Sequence, residues 1–256
     1  MKGIVLATQS RAAKCAFAPL STITSRYLLP VFDRPMVFWA LAAVAEAGAT
    51  EILLVVDPAF HQDFETAAAA FESPVPIQIV VREGGQLALD AARPHAESEP
   101  CVVLLADNLF ESSLAAARAQ FDEAGGGALV LLEQSPDLTR FGVAKIENGH
   151  IVRIEEKPSR PLSQYAVAGA YFYDATFWSK LTQARHCLSE SSDLTAVNNL
   201  YAEEGQLRHA VLPGWWTDVG DYQSLLLASV QAAERERARR APLHTAQGYA
   251  TRSEDD

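Results

Sequence analysis

The sequence predicts an α/β fold with a mostly parallel, mixed β-sheet and a small antiparallel elaboration. Two observations support this prediction. Short apolar runs of strand length alternate with segments of helical apolar spacing through the first half of the 256-residue chain, which is typical of βαβ units. A strong hairpin-turn signal, Asn148-Gly149, then separates two stretches of alternating polarity.

The first half of the chain contains alternating predicted strands and helices. The strands are apolar runs, which indicates burial on both faces of a sheet. They are Lys2–Ala7, Ile52–Val56, Ile77–Val81, Val102–Ala106 and Ala128–Leu132. The helices are predicted from apolar spacing, with Ser112 as the N-cap of the last one. They are Met36–Ala47, Pro58–Phe71, Leu87–Ala92 and Ser112–Phe121.

The second half is predicted to add antiparallel or mixed structure and more of the functional site. The predicted strands there are Gly142–Ile146, Ile151–Glu156, Ala166–Tyr173 and Leu207–Leu212. The predicted helices are Asp193–Glu203 and Tyr222–Arg240, and Trp215–Asp221 is predicted to be a compact turn. We therefore expect a single domain over residues 1–240. Residues 241–256 have no apolar period and are expected to be a disordered tail.

Composition narrows the class of protein. The formal net charge is −11, so neither nucleic acid nor an anionic membrane surface is an expected partner. No apolar run approaches the roughly 18 residues of a membrane span, and the N-terminus does not resemble a secretory signal. Three scattered cysteines fit a reducing cytoplasm, where we expect the protein to reside. Cys15 is the cysteine whose reactivity we would test first.

Two aspartates are candidate metal ligands. Asp107 directly follows a buried predicted strand, at the edge where α/β sheets place their ligands. A carboxylate there can hold Mg²⁺, which needs only one or two protein carboxylates besides phosphate oxygens. The alternative is that Asp107 caps the following turn. Asp218 precedes the last helix and, taken alone, suits a turn; beside Asp107 it would complete a two-carboxylate site.

Charged residues at two other places could contact an anionic substrate. Lys157 and Glu156 end a predicted strand, where they could neutralise a phosphate and accept hydrogen bonds from hydroxyl groups. The alternative is a solvated run of charges. The opening segment also concentrates basic residues, which could equally form an exposed basic loop. These are Arg11, Lys14, Arg26 and Arg34.

Several enzyme classes lack their sequence signatures here. The chain has no Gly-x-Ser-x-Gly nucleophile elbow and no Gly-x-Gly-x-x-Gly after its first strand. The six histidines do not pair at the spacing of zinc ligands. Serine-hydrolase, dinucleotide-oxidoreductase and zinc chemistry are therefore not expected.

The motifs, in this order, resemble those of the sugar-1-phosphate nucleotidylyltransferases, most closely the glucose-1-phosphate thymidylyltransferase branch. The resemblance runs from Met1 to about Ala233 and rests on seven matching blocks. They are Met1–Ala7, Leu28–Met36, Leu105–Phe110, Phe141–Val143, Glu155–Pro158, Tyr165–Asp174 and Trp216–Gly220. The resemblance implies a three-layer, Rossmann-like nucleotidyltransferase fold.

It also implies an activity and a set of site residues. The family joins a nucleoside triphosphate to a sugar 1-phosphate, releases pyrophosphate and often forms homo-oligomers. By motif, Asp107 and Asp218 would hold the catalytic Mg²⁺, and Asp107 would also border the substrate. The remaining matches would meet the sugar phosphate. They are Gly142 and Glu156 near the sugar hydroxyls, Lys157 at the phosphate and Gly169 where the backbone approaches the sugar.

The opening loop departs from the family pattern. The family has Leu-Ala-Gly-Gly-x-Gly-Thr-Arg-Leu-x-Pro-Leu, whereas Leu6–Leu20 is about three residues longer and contains no glycine. Those glycines let backbone N–H groups surround a triphosphate. Arg11, Lys14 and Arg26 are therefore the candidate catalytic cations of the altered segment. Gln86 is the candidate base contact, although its spacing differs from the family's Gln-x-x-x-x-Gly-Leu-Ala, so no base is assigned.

Three hypotheses follow from an intact sugar side beside an altered loop. The first is an active, Mg²⁺-dependent nucleotidylyltransferase that uses a nucleoside triphosphate resembling dTTP. The second is an inactive homologue that binds a sugar phosphate or nucleotide, or regulates a partner. The third is an enzyme with different chemistry in the same pocket, for which Cys15, Arg11 and Lys14 would be the first suspects.

Overall fold

A computed structural model describes residues 1–8, 16–83, 86–187 and 193–240. The first eight strands are Lys2–Ala7 (β1), Pro30–Val31 (β2), Arg34–Pro35 (β3), Glu51–Val56 (β4), Ile77–Val81 (β5), Cys101–Leu105 (β6), Asn108–Phe110 (β7) and Ala128–Gln134 (β8). The later strands are Gly142–Glu147 (β9), His150–Glu156 (β10), Tyr165–Tyr173 (β11), Leu207–Val211 (β12) and Trp216–Asp218 (β13). The α-helices are Met36–Glu46 (α1), His61–Ala70 (α2), Ala88–Ala96 (α3), Ala115–Glu123 (α4), Phe177–Cys187 (α5), Asp193–Glu203 (α6) and Tyr222–Arg240 (α7).

The main sheet combines a parallel half with an antiparallel half. Its central path runs β10-β9-β11-β6-β1-β4-β5, and β8 pairs with both β11 and β12. Strands β6, β1, β4 and β5 are parallel, as the βαβ pattern predicts, whereas β11 runs antiparallel to β6, β8 and β9. The mostly parallel mixed sheet and its antiparallel elaboration are therefore confirmed.

Helices cover both faces of this sheet. Alternate strand residues enter two separate cores, because successive side chains of a strand point to opposite faces. On β1, Val5 packs in the core with α1, α4 and α7, whereas Ile4 packs in the core with α3, α5 and α6. The resulting helix–sheet–helix arrangement confirms the predicted three-layer fold. Elements as far apart in the chain as β1 and α7 contribute to these cores. The expected tail, 241–256, lies outside the described residues.

Some predicted boundaries were wrong. Helix α4 begins at Ala115, and Ser112 is not its N-cap, since the Ser112 hydroxyl donates instead to the Pro213 carbonyl at 2.6 Å. Helix α3 continues past Ala92 to Ala96 and includes Pro94, although a proline at this position lacks the N–H that would bond the Asp90 carbonyl. Helix α5 was not predicted.

The segment predicted as a compact turn, Trp215–Asp221, contains a short strand. Strand β13 pairs antiparallel with β7, which places Asp218 opposite Asn108. The Val219 amide extends this pairing by donating to the Asp107 carbonyl at 2.8 Å. Because β7 follows β6 and β13 precedes α7 in the chain, this two-stranded ladder connects the carboxyl end of β6 with the segment before α7. Among the described residues, no helix has the length and apolar character needed to cross a bilayer.

Candidate active site

A cleft of about 320 Å³ opens beside the carboxyl end of β6. Strands β6, β9, β10, β11 and β13 and helix α6 contribute to its wall. Many of the residues predicted from sequence line it. They are Arg26, Asp107, Gly142, Glu156, Lys157, Gly169 and Asp218. The structure therefore brings residues from six separate segments of the chain into one cavity.

Asn108 joins the two aspartates. Its side-chain amide donates to Asp107 Oδ1 at 2.9 Å and to Asp218 Oδ1 at 3.3 Å. Its Oδ1 atom accepts from the Gly169 amide at 2.9 Å and from Trp216 Nε1 at 2.7 Å. Because Asn108 is only 2% exposed, this network fixes its orientation. The amide thereby holds two carboxylates together that would otherwise repel each other.

Gly169 lies against this amide. A Cβ atom at Gly169 would stand 2.5 Å from Asn108 Oδ1, which is closer than ordinary packing allows. The position therefore needs glycine for space, while its backbone N–H satisfies Asn108. The role expected from sequence, close approach of this backbone to a sugar, stays a prediction.

Cations surround the carboxylates. Arg26 forms an ion pair through Nη2 with Asp107 Oδ2, and Arg140 Nη2 lies 4.0 Å from Asp218 Oδ2. Burial, followed by the negative charge of Asp107, raises the pKa of Asp218, and the two arginines oppose this shift. The site thus concentrates like charges in a partly desolvated place and compensates them with nearby guanidinium groups.

The far side of the cleft holds the Glu156–Lys157 pair. The Thr195 hydroxyl donates to Glu156 Oε2 at 2.8 Å, while Lys157 Nζ lies 3.7 Å from Glu156 Oε1. Lys157 has a φ of 45°, an uncommon value for a residue with a side chain, and its amide donates to the Phe141 carbonyl at 3.0 Å. Its side chain is 64% exposed, so the ammonium group is available to a ligand.

Two other candidate residues, Gln86 and Arg34, do not line this cleft. Gln86 does not line it: its side-chain oxygen accepts from the Glu83 amide at 3.1 Å, and its predicted base contact stays a prediction. Arg34 pairs with Asp33 and stacks over Trp39, with 4.6 Å between guanidinium carbon and ring centroid. The candidates Arg11 and Lys14, together with Cys15, lie outside the described residues.

The sequence did not assign roles to several residues that line the cleft. Asn108, Arg140, Thr195 and Trp216 are the clearest of these. Asn108 had an available signal, because an amide next to a carboxylate at the end of a buried strand faces the same edge of the sheet. Thr195 had none, since it reaches Glu156 only through the packing of α6 against β10.

The donor set fits a divalent cation. Asp107 and Asp218 supply the one or two carboxylates that Mg²⁺ uses when substrate phosphates complete its shell. Across the described part of the chain, the structure groups no three histidine, cysteine or carboxylate side chains together. The candidate metal site therefore consists of this pair, with cations positioned to meet phosphate oxygens beside it.

A sheet covered by helices on both faces, with carboxylates and cations at the carboxyl ends of its strands, is typical of α/β proteins that bind phosphate-bearing ligands. Comparison with known proteins agrees. The profile described as nucleotidyl transferase matches residues 16–235. Because this match covers most of the chain, the protein belongs to the nucleotidyl transferase family. The resemblance found in the sequence motifs is thereby confirmed.

Relatives and solved structures extend this result. The glucose-1-phosphate thymidylyltransferase of Mycolicibacterium smegmatis is 31% identical over 237 residues, covering 90% of this chain and 81% of the relative. That of Neisseria meningitidis is also 31% identical, with coverages of 88% and 80%. A Bacillus anthracis structure assigned to the same activity, in complex with sucrose, has a TM-score of 0.80, 32% identity and coverages of 90% and 94%. Apo UDP-glucose pyrophosphorylase, at 18% identity and a TM-score of 0.76 over 93% of this chain and 99% of that one, shares the fold.

Proposed function

We propose that this chain is a sugar-1-phosphate nucleotidyltransferase. It transfers a nucleoside monophosphate from a dTTP-like nucleoside triphosphate to a sugar 1-phosphate and releases pyrophosphate, with Mg²⁺ as cofactor. The observation that carries the proposal is the single cleft in which the Asp107–Asp218 pair faces Glu156 and Lys157. The relatives named glucose-1-phosphate thymidylyltransferase, at about 90% coverage of this chain, support the substrate class.

The sugar 1-phosphate is placed on the Glu156 side. A carboxylate accepts hydrogen bonds from hydroxyl groups, and the Thr195 hydroxyl holds the Glu156 carboxylate in one orientation. Gly142 and Gly169 line the cleft wall on this side, where the sugar ring would lie against them. Lys157 supplies an exposed positive charge beside the Glu156 carboxylate, where it would neutralise the phosphate of the sugar 1-phosphate.

The reaction needs alignment and charge neutralisation more than covalent chemistry. A phosphate oxygen of the sugar 1-phosphate attacks the α-phosphorus in line, and pyrophosphate leaves on the opposite side. Asp107 and Asp218 would hold Mg²⁺, which supplies positive charge to phosphate oxygens in this chemistry. Arg26 and Arg140 add cationic donors on the same side of the cleft. No protein nucleophile is required.

The decisive experiment measures pyrophosphate. The protein is incubated with Mg²⁺, each nucleoside triphosphate in turn and a panel of sugar 1-phosphates that includes glucose 1-phosphate. Release with a thymidine or related nucleotide is expected. Absence of pyrophosphate release with every combination would refute the proposal and favour the hypothesis of an inactive homologue. Calorimetry with sugar phosphates or triphosphates would then test whether that homologue binds either ligand.

Replacement of one carboxylate provides the matched test of the site. Asp107→Asn should reduce turnover by at least about 10³-fold, because the metal loses a charged ligand. The variant should still fold but with a lower thermal midpoint, because Arg26 loses its poorly exposed counter-ion. Asp122→Asn is the control, since Asp122 forms an exposed ion pair with Arg118 on α4. Unchanged turnover in Asp107→Asn would remove this residue from the metal site.

Location and assembly complete the proposal. We expect a cytoplasmic enzyme, from its cysteine usage, that acts on small molecules and not on nucleic acid or membranes. A homo-oligomer is expected from the family resemblance. Light scattering coupled to size-exclusion chromatography measures the mass directly.

A further inference from the structure

Arg26 is anchored beside Asp107 by a short helical turn. It begins the 3₁₀ turn Arg26–Leu28, and its guanidinium carbon lies 4.7 Å from the centroid of the Tyr27 ring. The same Nη2 atom that meets Asp107 also donates to the Tyr27 hydroxyl at 3.0 Å. That hydroxyl in turn donates to the Thr8 carbonyl at 2.8 Å, just beyond β1. The guanidinium group is therefore held at the carboxylate by both a ring and a hydroxyl.

Both oxygens of Asp107 are already engaged in this arrangement. Oδ1 accepts from the Asn108 amide and Oδ2 accepts from Arg26. The side chains are poorly exposed, 11% for Asp107 and 22% for Arg26, so water screens the pair weakly. A divalent cation that uses Asp107 must therefore approach a fixed positive charge and compete with it for the carboxylate.

The paired arrangement also leaves Arg26 incompletely satisfied. Its Nε atom is buried and has no hydrogen-bond partner within residues 1–8, 16–83, 86–187 and 193–240. A buried donor without an acceptor is costly, whereas a phosphate offers several acceptor oxygens to a guanidinium fork. Arg26 lines the cleft, so such an anion can reach its neighbourhood.

We infer that Arg26 is an internal counter-ion of Asp107 that competes with the divalent cation for this carboxylate. The free protein then binds the metal weakly, and a triphosphate restores metal binding because its phosphate oxygens take over the Arg26 guanidinium. This inference rests on the proposed function, since it concerns the same two-carboxylate site. In this scheme the Arg26 side chain determines that the triphosphate must be present before the divalent cation binds tightly.

The test is a Mn²⁺ titration followed by electron paramagnetic resonance, which measures unbound Mn²⁺ and needs no turnover. The protein without nucleotide is compared with Arg26→Gln, which removes the charge. We expect Arg26→Gln to bind Mn²⁺ at least about tenfold more tightly, as removal of a neighbouring like charge implies. Arg34→Gln is the matched control, because Arg34 pairs with Asp33 and does not line the cleft, so its affinity should equal that of the wild type.

Two further variants test whether the gain in Mn²⁺ affinity comes from the charge of Arg26 and depends on Asp107. In Arg26→Lys the charge is kept, but the ammonium ends about one bond short of the Nη2 position, so a smaller gain of about threefold is expected. In the double variant Asp107→Asn, Arg26→Gln, the increase in Mn²⁺ affinity seen with Arg26→Gln alone should disappear. Thermal melts check that each variant is folded; if Arg26→Gln is not, Arg26→Lys decides the question.

The inference is overturned if the folded Arg26→Gln variant binds Mn²⁺ within about twofold of the wild type, or if the gain survives Asp107→Asn. Pyrophosphate release by the wild type at saturating Mg²⁺ reports on the proposed function separately. An active wild type with unchanged Arg26→Gln affinity overturns only the competition. Tight Mn²⁺ binding in Arg26→Gln, without pyrophosphate release by the wild type from any nucleotide, overturns only the proposed function.

Discussion

Asn108→Ala is the sharpest test of how the site is held together. The variant removes an acceptor from the Gly169 amide and from Trp216 Nε1, and it removes the donor shared by Asp107 and Asp218. Each buried donor left without an acceptor costs about 1–3 kcal/mol. Gly169 is buried and Trp216 only partly buried, so the sum is about 2–5 kcal/mol. Against a total stability of about 5–15 kcal/mol, this loss is large.

Urea unfolding followed by circular dichroism measures the effect on stability, and pyrophosphate release measures the effect on the site. We expect the unfolding midpoint to fall and turnover to be lost, because the two carboxylates lose the amide that fixes their separation. A midpoint that corresponds to less than about 0.5 kcal/mol of lost stability would refute the reasoning, since that is the range of an ordinary surface substitution.

Two comparisons separate stability from site geometry. Asn199→Ala also removes two hydrogen bonds, to the Ile154 amide at 2.7 Å and carbonyl at 3.0 Å, and should lower stability without abolishing turnover. Asn108→Asp keeps an acceptor for Gly169 but replaces the donor by a third negative charge. It should lose turnover even though that acceptor bond remains.

Three further predictions concern other parts of the cleft. Gly169→Ala should lower the free energy of unfolding, measured with urea, by about 1–3 kcal/mol, because the new Cβ overlaps the side-chain oxygen Oδ1 of Asn108. Lys157→Gln should lower kcat/KM for the sugar 1-phosphate by about 10–100-fold, the value of one lost charged contact, with an unchanged thermal midpoint. Burial, and after it the charge of Glu111, raises the pKa of Glu133, so its stabilising protonated form is lost as pH rises through that pKa. Glu133→Gln should therefore raise the unfolding free energy at pH 7.5 by about 0.5–1 kcal/mol, and this gain should shrink toward pH 4.

Each of these has a contrary outcome. A Gly169→Ala protein as stable as the wild type would show that Asn108 can move aside. A Lys157→Gln protein with full kcat/KM would leave the ammonium group as a solvated charge, the alternative interpretation from sequence. A stability gain in Glu133→Gln that is equal at both pH values would mean that its charge is not responsible.

The parallel half of the fold was predictable because its signals are local. Buried strands such as β4 and β6 are continuous apolar runs, and the helices between them have apolar residues at helical spacing. Helix α5 carried the same signal in Phe177, Trp178 and Leu181, which all lie in one core, so it could have been predicted. By contrast, β7 and β13 contain three residues each, which is too short for any period to be visible.

The site was only partly predictable because its geometry depends on tertiary pairing. Asp107 could be placed from the end of its strand, and the structure brings Asp218 to it through the β7–β13 ladder. The basic residues of the opening segment could not be separated from sequence. Phe32, with a φ of 57°, lies in the turn between β2 and β3, after which Arg34 faces Trp39 while Arg26 faces the cleft. Charge counting treats the two arginines alike, whereas the chain reversal gives them different neighbours.

The β7–β13 ladder has a consequence for the order in which the protein is made. Asp107 leaves the ribosome well before Trp216 and Asp218, so the nascent chain can form much of the parallel sheet while Asn108 still lacks two of its partners. Strand β13, which completes the cleft wall, is synthesised after all the strands of the parallel half. A chain arrested before β13 would therefore retain most of its sheet but no carboxylate pair, and metal binding should be acquired only after β13 has been synthesised.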